Sequence, residues 1–360
     1  MKRMAAIVVL VVMLCALLCG CDWWQGQYAS VSPHKEANAR PVQSVVNAFT
    51  YLDLQNALVT FVEAGQKQGI IAATLLNEKY LDDYMLTAIA YAKQECAVGA
   101  YAVDDITYEI GKNAGMAAVA VSISYNHRHS EIPNIKITDT VEQAQTVIAQ
   151  SLKDCAAGVV LKIEEYSDMD ITQIVQDYVD THPDICMEMP QVSAVTYPQS
   201  GNQRVVEIAY TYQTSRESLR NMQAFVEPVF QASDLNISGL EQESIKFTMI
   251  YAFLMERYDY TIKTSITPSY SLLRHGVGDC KAFAVVFAAM CRRGGLECTV
   301  VSGTRDGEPW AWNLICEDGV YYHVDLLRSG GSERLQRLSD ADMQGYVWDY
   351  SNYPYSMQRR

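Results

Sequence analysis

The chain is 360 residues long, 49% of them hydrophobic, with 23 Tyr and a formal net charge of −14. This composition is globular, and the negative balance argues against nucleic acid or anionic lipid headgroups as partners. The length exceeds one ordinary core, so two or three domains are expected.

Lys2 and Arg3 give the chain a positive start, and Ala5 to Leu18 is an uncharged apolar run. The run has the length of a signal-peptide core and is short for a membrane span. It ends in Leu18-Cys19-Gly20-Cys21, which resembles the lipobox of bacterial lipoproteins. The resemblance implies that residues 1–21 are a signal peptide and lipobox, with a diacylglyceryl group on Cys21. Membrane lipid would then be a partner through acylated Cys21, and the protein would be extracytoplasmic, lipid-anchored to the bacterial cell membrane. Residues 22–45 are polar, lack helical periodicity and contain Pro33 and Pro41, so they read as a flexible tether.

Residues 46–235 alternate helical and strand patterns, as an α+β module would. Ile171, Ile174, Val175, Tyr178 and Val179 mark one face of a helix started by Asp168 or Asp170. "VVEIAYTY", Val205 to Tyr212, alternates as a half-buried strand, and Thr214 with Glu217 reads as a capping box. The segments Tyr91 to Tyr125 and Tyr178 to Tyr212 align without a gap at an offset of 87 (178 − 91). Val119, Val121, Ile123 and Tyr125 then fall on Val206, Ile208, Tyr210 and Tyr212. The module is therefore expected to be duplicated, with related units at about 80–155 and 157–232.

A C-terminal domain is expected over 236–360, opened by a capping box of Ser238 and Glu241. Ile245, Met249, Ile250, Phe253 and Leu254 mark its first buried helix. A loop with Gly276 and Gly278 then delivers Cys280 to the start of the apolar helix "AFAVVFAAM", where the dipole favours thiolate. "ECTVVSG" follows as a strand, and "EPWAWNLICE" and "VYYHVDLL" are alternating strands joined at Asp318-Gly319.

A Gly-x-Cys on a helix, an x-Ala-Trp-Asn strand and an Asp ending an aromatic strand, in that order, resemble the transglutaminase-like superfamily. The match runs roughly from Ser238 to Pro354, and "DTHPDI" with the upstream units more weakly resembles lipoprotein members of that group. The resemblance implies an α+β chain with a C-terminal transglutaminase-like (papain-like) domain and a Cys-His-Asp triad. Cys280 falls on the nucleophile and Asp325 on the acid that orients the base, whereas Trp310 stands where the family has His. An indole carries one N–H donor and accepts no proton at neutral pH, so it can neither deprotonate a thiol nor pair with a thiolate.

Pairing back from the Asp318-Gly319 turn places Leu314 opposite His323, Trp312 opposite Asp325 and Trp310 opposite Leu327. His323 would then lie on one face with Asp325 but about 7 Å along the strand, too far for a simple exchange of bases. The expected function is a membrane-anchored pseudoenzyme whose cleft binds a protein or peptide ligand or serves as a scaffold. The alternative is an active cysteine-dependent amidase, protease or acyl transferase that uses Cys280, Asp325 and His323 as substitute base. In a third reading the N-terminal units bind and the C-terminal domain is a spacer. His275 precedes Cys280 in the loop, and His127 with His129 reads as a surface pair at a strand end. Outside the first 21 residues seven cysteines remain, an odd number with no CxxC, and there is no HExxH, P-loop or GxGxxG. Neither a metal nor an organic cofactor is expected.

Overall fold

A computed structural model describes residues 45–113, 115–262, 265–328 and 334–356. The expected signal peptide, Cys21 and the expected tether up to residue 44 lie outside the described residues. No helix among those described is long and apolar enough to cross a membrane.

The first half of the chain builds the same small sheet twice. The first copy runs β1 (Val45–Ala48), α1 (Tyr51–Glu63), β2 (Gln68–Ala73), α2 (Leu81–Gln94), α3 (Ala97–Ala102), β3 (Val103–Asn113) and β4 (Met116–Tyr125). The second runs β5 (Lys136–Thr138), α4 (Val141–Lys153), β6 (Gly158–Ile163), α5 (Ile171–Thr181), β7 (Gln191–Tyr197) and β8 (Arg204–Thr211). Their strand orders, β1-β2-β4-β3 and β5-β6-β8-β7, are equivalent. In each, the outer pair is parallel through a crossover helix and the remaining pairs are antiparallel.

The offset of 87 carries β4 onto β8, while their hairpin partners correspond at 86, since Val119 pairs with Ile110 and Val206 with Thr196. Val119, Val121 and Ile123 are buried in one core, and Val206, Ile208 and Tyr210 in the other. The phase of the repeat differs from the expected 80–155 and 157–232. Each sheet closes over 45–125 and 136–211, because its first strand and crossover helix precede the alternating hairpin that carried the alignment. Equivalent threonines start the crossover helices. Thr50 caps α1 in a box with Asp53, and Thr140 accepts from the Gln143 amide at 3.4 Å. Asp170, the second of the two expected starts, caps α5 by accepting from the Gln173 amide at 2.9 Å.

The C-terminal domain comprises α6 (Arg216–Ile237), α7 (Glu243–Met255), β9 (Asp259–Tyr260), α8 (Pro268–His275), β10 (Val277–Gly278), α9 (Cys280–Arg293), β11 (Cys298–Arg305), β12 (Glu308–Glu317), β13 (Val320–Val324) and β14 (Tyr346–Trp348). Its antiparallel sheet has the order β13-β12-β11-β14. The helix α9 is buried along its whole middle, Ala282 to Cys291, between the other helices and this sheet. Although α6 begins before the expected boundary at 236, its Leu219, Val226, Phe230 and Ile237 belong to the same core as Phe247, Phe283, Phe287, Ile315 and Val324. The far face of the sheet carries a second cluster of Val301, Trp312, Leu314, Tyr346 and Trp348.

Three local expectations are corrected. Ser215, accepting from the Ser218 amide at 3.2 Å, caps α6 in place of Thr214. The Ser238–Glu241 box does not form, since α7 begins at Glu243 after an N-cap Gln242 that makes no side-chain cap. Ile245 is 42% exposed, and the buried stripe of α7 runs through Phe247, Ile250, Tyr251, Phe253 and Leu254.

Candidate active site

Two short strands deliver the cysteine. β9 and β10 pair in parallel, with Tyr260 opposite Gly278, so the Tyr260 ring is brought to the loop before α9. A side chain at Gly278 would press to 3.0 Å from Leu272 and 3.1 Å from Ala282, which is why this approach uses glycine. Asp279 caps α9 by accepting from the Ala282 amide at 2.8 Å, leaving Cys280 as the first helical residue.

The thiol is half-buried, and its environment opposes the expected thiolate. Burial pushes the Cys280 thiol up, the carboxylates Asp279 and Asp325 add to this, and the Ala311 and Lys281 amides pull the other way. The helix N-terminus does not outweigh desolvation here.

β12 and β13 meet as the turn signal implies. Asp318 and Gly319 both take positive φ, 50° and 79°, the conformation a two-residue hairpin requires. Glu317 pairs with Val320, Leu314 with His323 and Asn313 with Val324, after which β13 ends and Asp325 leaves the ladder. Alternation then sorts the side chains of β12. Asn313 faces α9, donating to the Ala284 carbonyl at 2.8 Å, while Trp312 and Leu314 join the cluster on the opposite face.

Asp325 is the centre of the polar network, with only 2% of its side chain exposed. Its Oδ2 accepts from Trp310 Nε1 at 3.0 Å, Arg305 Nη1 at 3.1 Å and Tyr346 Oη at 2.5 Å, and its Oδ1 accepts from the Leu327 amide at 3.0 Å. The Arg305 guanidinium lies 5.1 Å from the Trp310 ring and 5.6 Å from the Tyr346 ring. Burial, with Asp325 beside it, holds the Tyr346 phenol protonated, so it remains a donor. Tyr260 completes the mouth with its ring 5.8 Å from Trp310. Burial also raises the Tyr260 phenol, helped by the neighbouring Cys280 and Asp279.

Cys280, Trp310 and Asp325 therefore gather in one place, and His323 does not join them. His323 is 1% exposed within the far-face cluster, against Trp312 and Trp348. Its Nδ1 accepts from Trp312 Nε1 at 2.9 Å. An indole N–H can only donate, so the imidazole proton sits on Nε2 and is directed to Asp340 Oδ1 at 3.0 Å. Burial lowers the imidazole pKa, with Asp340 partly opposing. Both nitrogens are engaged in a structural network, so a role as substitute base for Cys280 has no free ring atom to use.

His275 ends α8 and lines a cavity of about 440 Å³ with Asp279, Val277 and Ser271. His127 stacks on Tyr101 at 4.1 Å, and His129 Nδ1 lies 3.1 Å from the Gly65 carbonyl oxygen, so both pack on their own unit. Among the described residues no group of three His, Cys, Asp or Glu side chains is placed to hold a metal. Arg305, Tyr346 and Tyr260 went unread in the sequence. Arg305 and Tyr346 are cross-strand partners on β11 and β14, strands far apart in the chain with no shared local pattern.

The model of the transglutaminase-like superfamily matches residues 233–326. No curated protein matches the chain. Among solved structures, a candidate cysteine protease from Cytophaga hutchinsonii aligns at 12% identity and a TM-score of 0.26, over 44% of this chain and 70% of that one. A transglutaminase aligns at 10% identity and 0.29, over 57% and 62%. A candidate protease from Parabacteroides distasonis aligns at 9% identity and 0.24, over 61% and 35%. The chain thus spans less than two thirds of the last two. Residues 233–326, with Cys280 at the head of α9, Trp310 on the adjoining sheet and Asp325 just past the end of β13, form a transglutaminase-like domain.

Proposed function

We propose that this is a lipid-anchored extracytoplasmic protein whose transglutaminase-like domain has lost thiol catalysis and binds a peptide or protein segment at the Cys280 cleft. The observation that carries the reading is the 3.0 Å hydrogen bond from Trp310 Nε1 to Asp325. The acid that would orient a base instead holds a side chain that can only donate, so the group at the base position takes no proton from Cys280. A raised thiol agrees with this.

Binding is supported by the apolar surroundings of the mouth. Tyr260 is 42% exposed, and Ile262 and Ile266 on the same loop are 80% and 61% exposed. Single exposed apolar side chains need no explanation, but three close in sequence, starting from the Tyr260 that meets Trp310, suit an apolar segment. The anchor rests on the basic start, the apolar run and Cys21. The active alternative loses support because His323, its base, is locked between Trp312 and Asp340.

The test incubates the full chain with a glutamine peptide and a primary amine and follows ammonia release. No release above the Cys280→Ala variant is expected, and Cys280-dependent release would overturn the pseudoenzyme reading. Labelled fatty acid should enter the wild type and be absent from Cys21→Ser; equal labelling of both would remove the anchor.

A further inference from the structure

We propose that Arg305 is a positioning residue that has taken over Asp325, so that the centre is closed by two changes and not by Trp310 alone. This rests on the reading of Trp310 as the occupant of the base position. Three donors, from Trp310, Arg305 and Tyr346, converge on the single oxygen Oδ2 of Asp325. A carboxylate oxygen offers about two lone pairs, so Arg305 and Tyr346 saturate it even without the indole. The guanidinium is also held in place, stacked between the Trp310 and Tyr346 rings while 28% exposed.

Two consequences follow for an imidazole placed at position 310. Its N–H would share Oδ2 with Arg305 and Tyr346, so Asp325 would fix its orientation less firmly. Its protonated form would also stand about 5 Å from a permanent cation, at the distance Arg305 keeps from the present ring. Like charge at that range disfavours imidazolium, and with it the thiolate–imidazolium pair that activates a cysteine. In the present protein the same guanidinium supplies the counter-charge for a nearly buried carboxylate that no imidazole neutralises.

The experiment compares the pH dependence of Cys280 alkylation by iodoacetamide, read at the Cys280 peptide by mass spectrometry. It uses the full chain as wild type, R305Q, W310H and the double variant R305Q/W310H. In the activated case the imidazole takes the thiol proton, the thiolate forms the S–C bond and iodide leaves. Wild type, R305Q and W310H should inflect at or above the free-thiol pKa of about 8.5. The double variant should inflect at least one unit lower and react about tenfold faster than W310H at pH 7. R305M/W310H, which keeps the apolar stem without the charge, repeats the measurement should the glutamine variant misfold.

An equally low inflection in W310H alone overturns the role of Arg305 and leaves the lost-base reading intact. A low inflection already present in wild type overturns the lost-base reading instead. If neither double variant gains over W310H, Arg305 is not what holds the site closed and the proposal fails.

Discussion

Two tryptophans, two residues apart on β12, donate to two acceptors two residues apart at the end of β13. Trp312 donates to His323 at 2.9 Å, and Trp310 donates to Asp325 at 3.0 Å. The pairs look alike, and their surroundings set them apart. Around His323 each ring nitrogen has one partner, and Asp340 behind it also accepts from the Ser356 hydroxyl at 2.6 Å, tying down the end of the described chain. Around Asp325 three donors crowd one oxygen, one of them a cation. The first network is a buried structural prop. The second is a buried carboxylate with one oxygen crowded by donors and the other taking the Leu327 amide. A histidine close in sequence to Asp325 is thus no guide to a base; which partners its ring nitrogens meet decides.

This contrast can be broken most forcefully at the tryptophans. Trp312 is fully buried, so Trp312→Ala should lose about 4 kcal/mol of unfolding free energy by chemical denaturation. Trp310 is only half-buried, so its Ala variant should lose about 1–2 kcal/mol. Equal losses would mean that the two centres are structurally equivalent. Asp325→Ala should cost about as much as the Trp310 change, about 1–2 kcal/mol, because it strands the Trp310 and Tyr346 donors. Arg305, being part exposed, can turn to water and soften that loss.

The pH response sharpens the comparison from the His323 side. The folded imidazole titrates below its ordinary value, so at mildly acidic pH the unfolded chain binds more protons than the folded one. Its contribution is complete above about 6.5 and is lost as pH falls from there toward the folded value. Urea midpoints measured from pH 7.5 down to pH 5 should therefore fall, and His323→Gln should flatten that part of the curve; an unchanged slope would contradict the assignment. The smallest effect is expected for Trp310→Phe, which keeps the ring and removes one hydrogen bond among four to Asp325. It should cost about 1 kcal/mol in the same denaturation assay.

Much of the site was legible because its signals are local. The helix behind Cys280 follows from Asp279 and an unbroken apolar run, and the hairpin from Asp318-Gly319 between alternating strands. Pairing counted from that turn placed Leu314 opposite His323 correctly, but extending it to Trp312 and Asp325 overran β13, which ends at Val324. The duplicated hairpins were legible through the alternation of Val119, Val121 and Ile123 and its echo at Val206, Ile208 and Tyr210. The start of each repeat was not, because β1 and β5 are only four and three residues long and carry no periodicity to read.

By itself the sequence determined what depends on neighbouring residues: the helix that begins at Cys280, the β12–β13 turn, the alternation of the doubled module and the place of Trp310 in its strand. Tertiary structure alone decided how each of those groups is employed. It set Arg305 and Tyr346 on Asp325 by pairing β11 with β14, and it turned His323 into the far-face cluster. It also buried the thiol enough to raise its pKa where the helix dipole favoured the opposite. The physical reason is the same each time. Hydrogen bonding, desolvation and charge act between groups close in space, and a strand joined from 41 positions away (346 − 305) leaves no periodic mark on the stretch it completes.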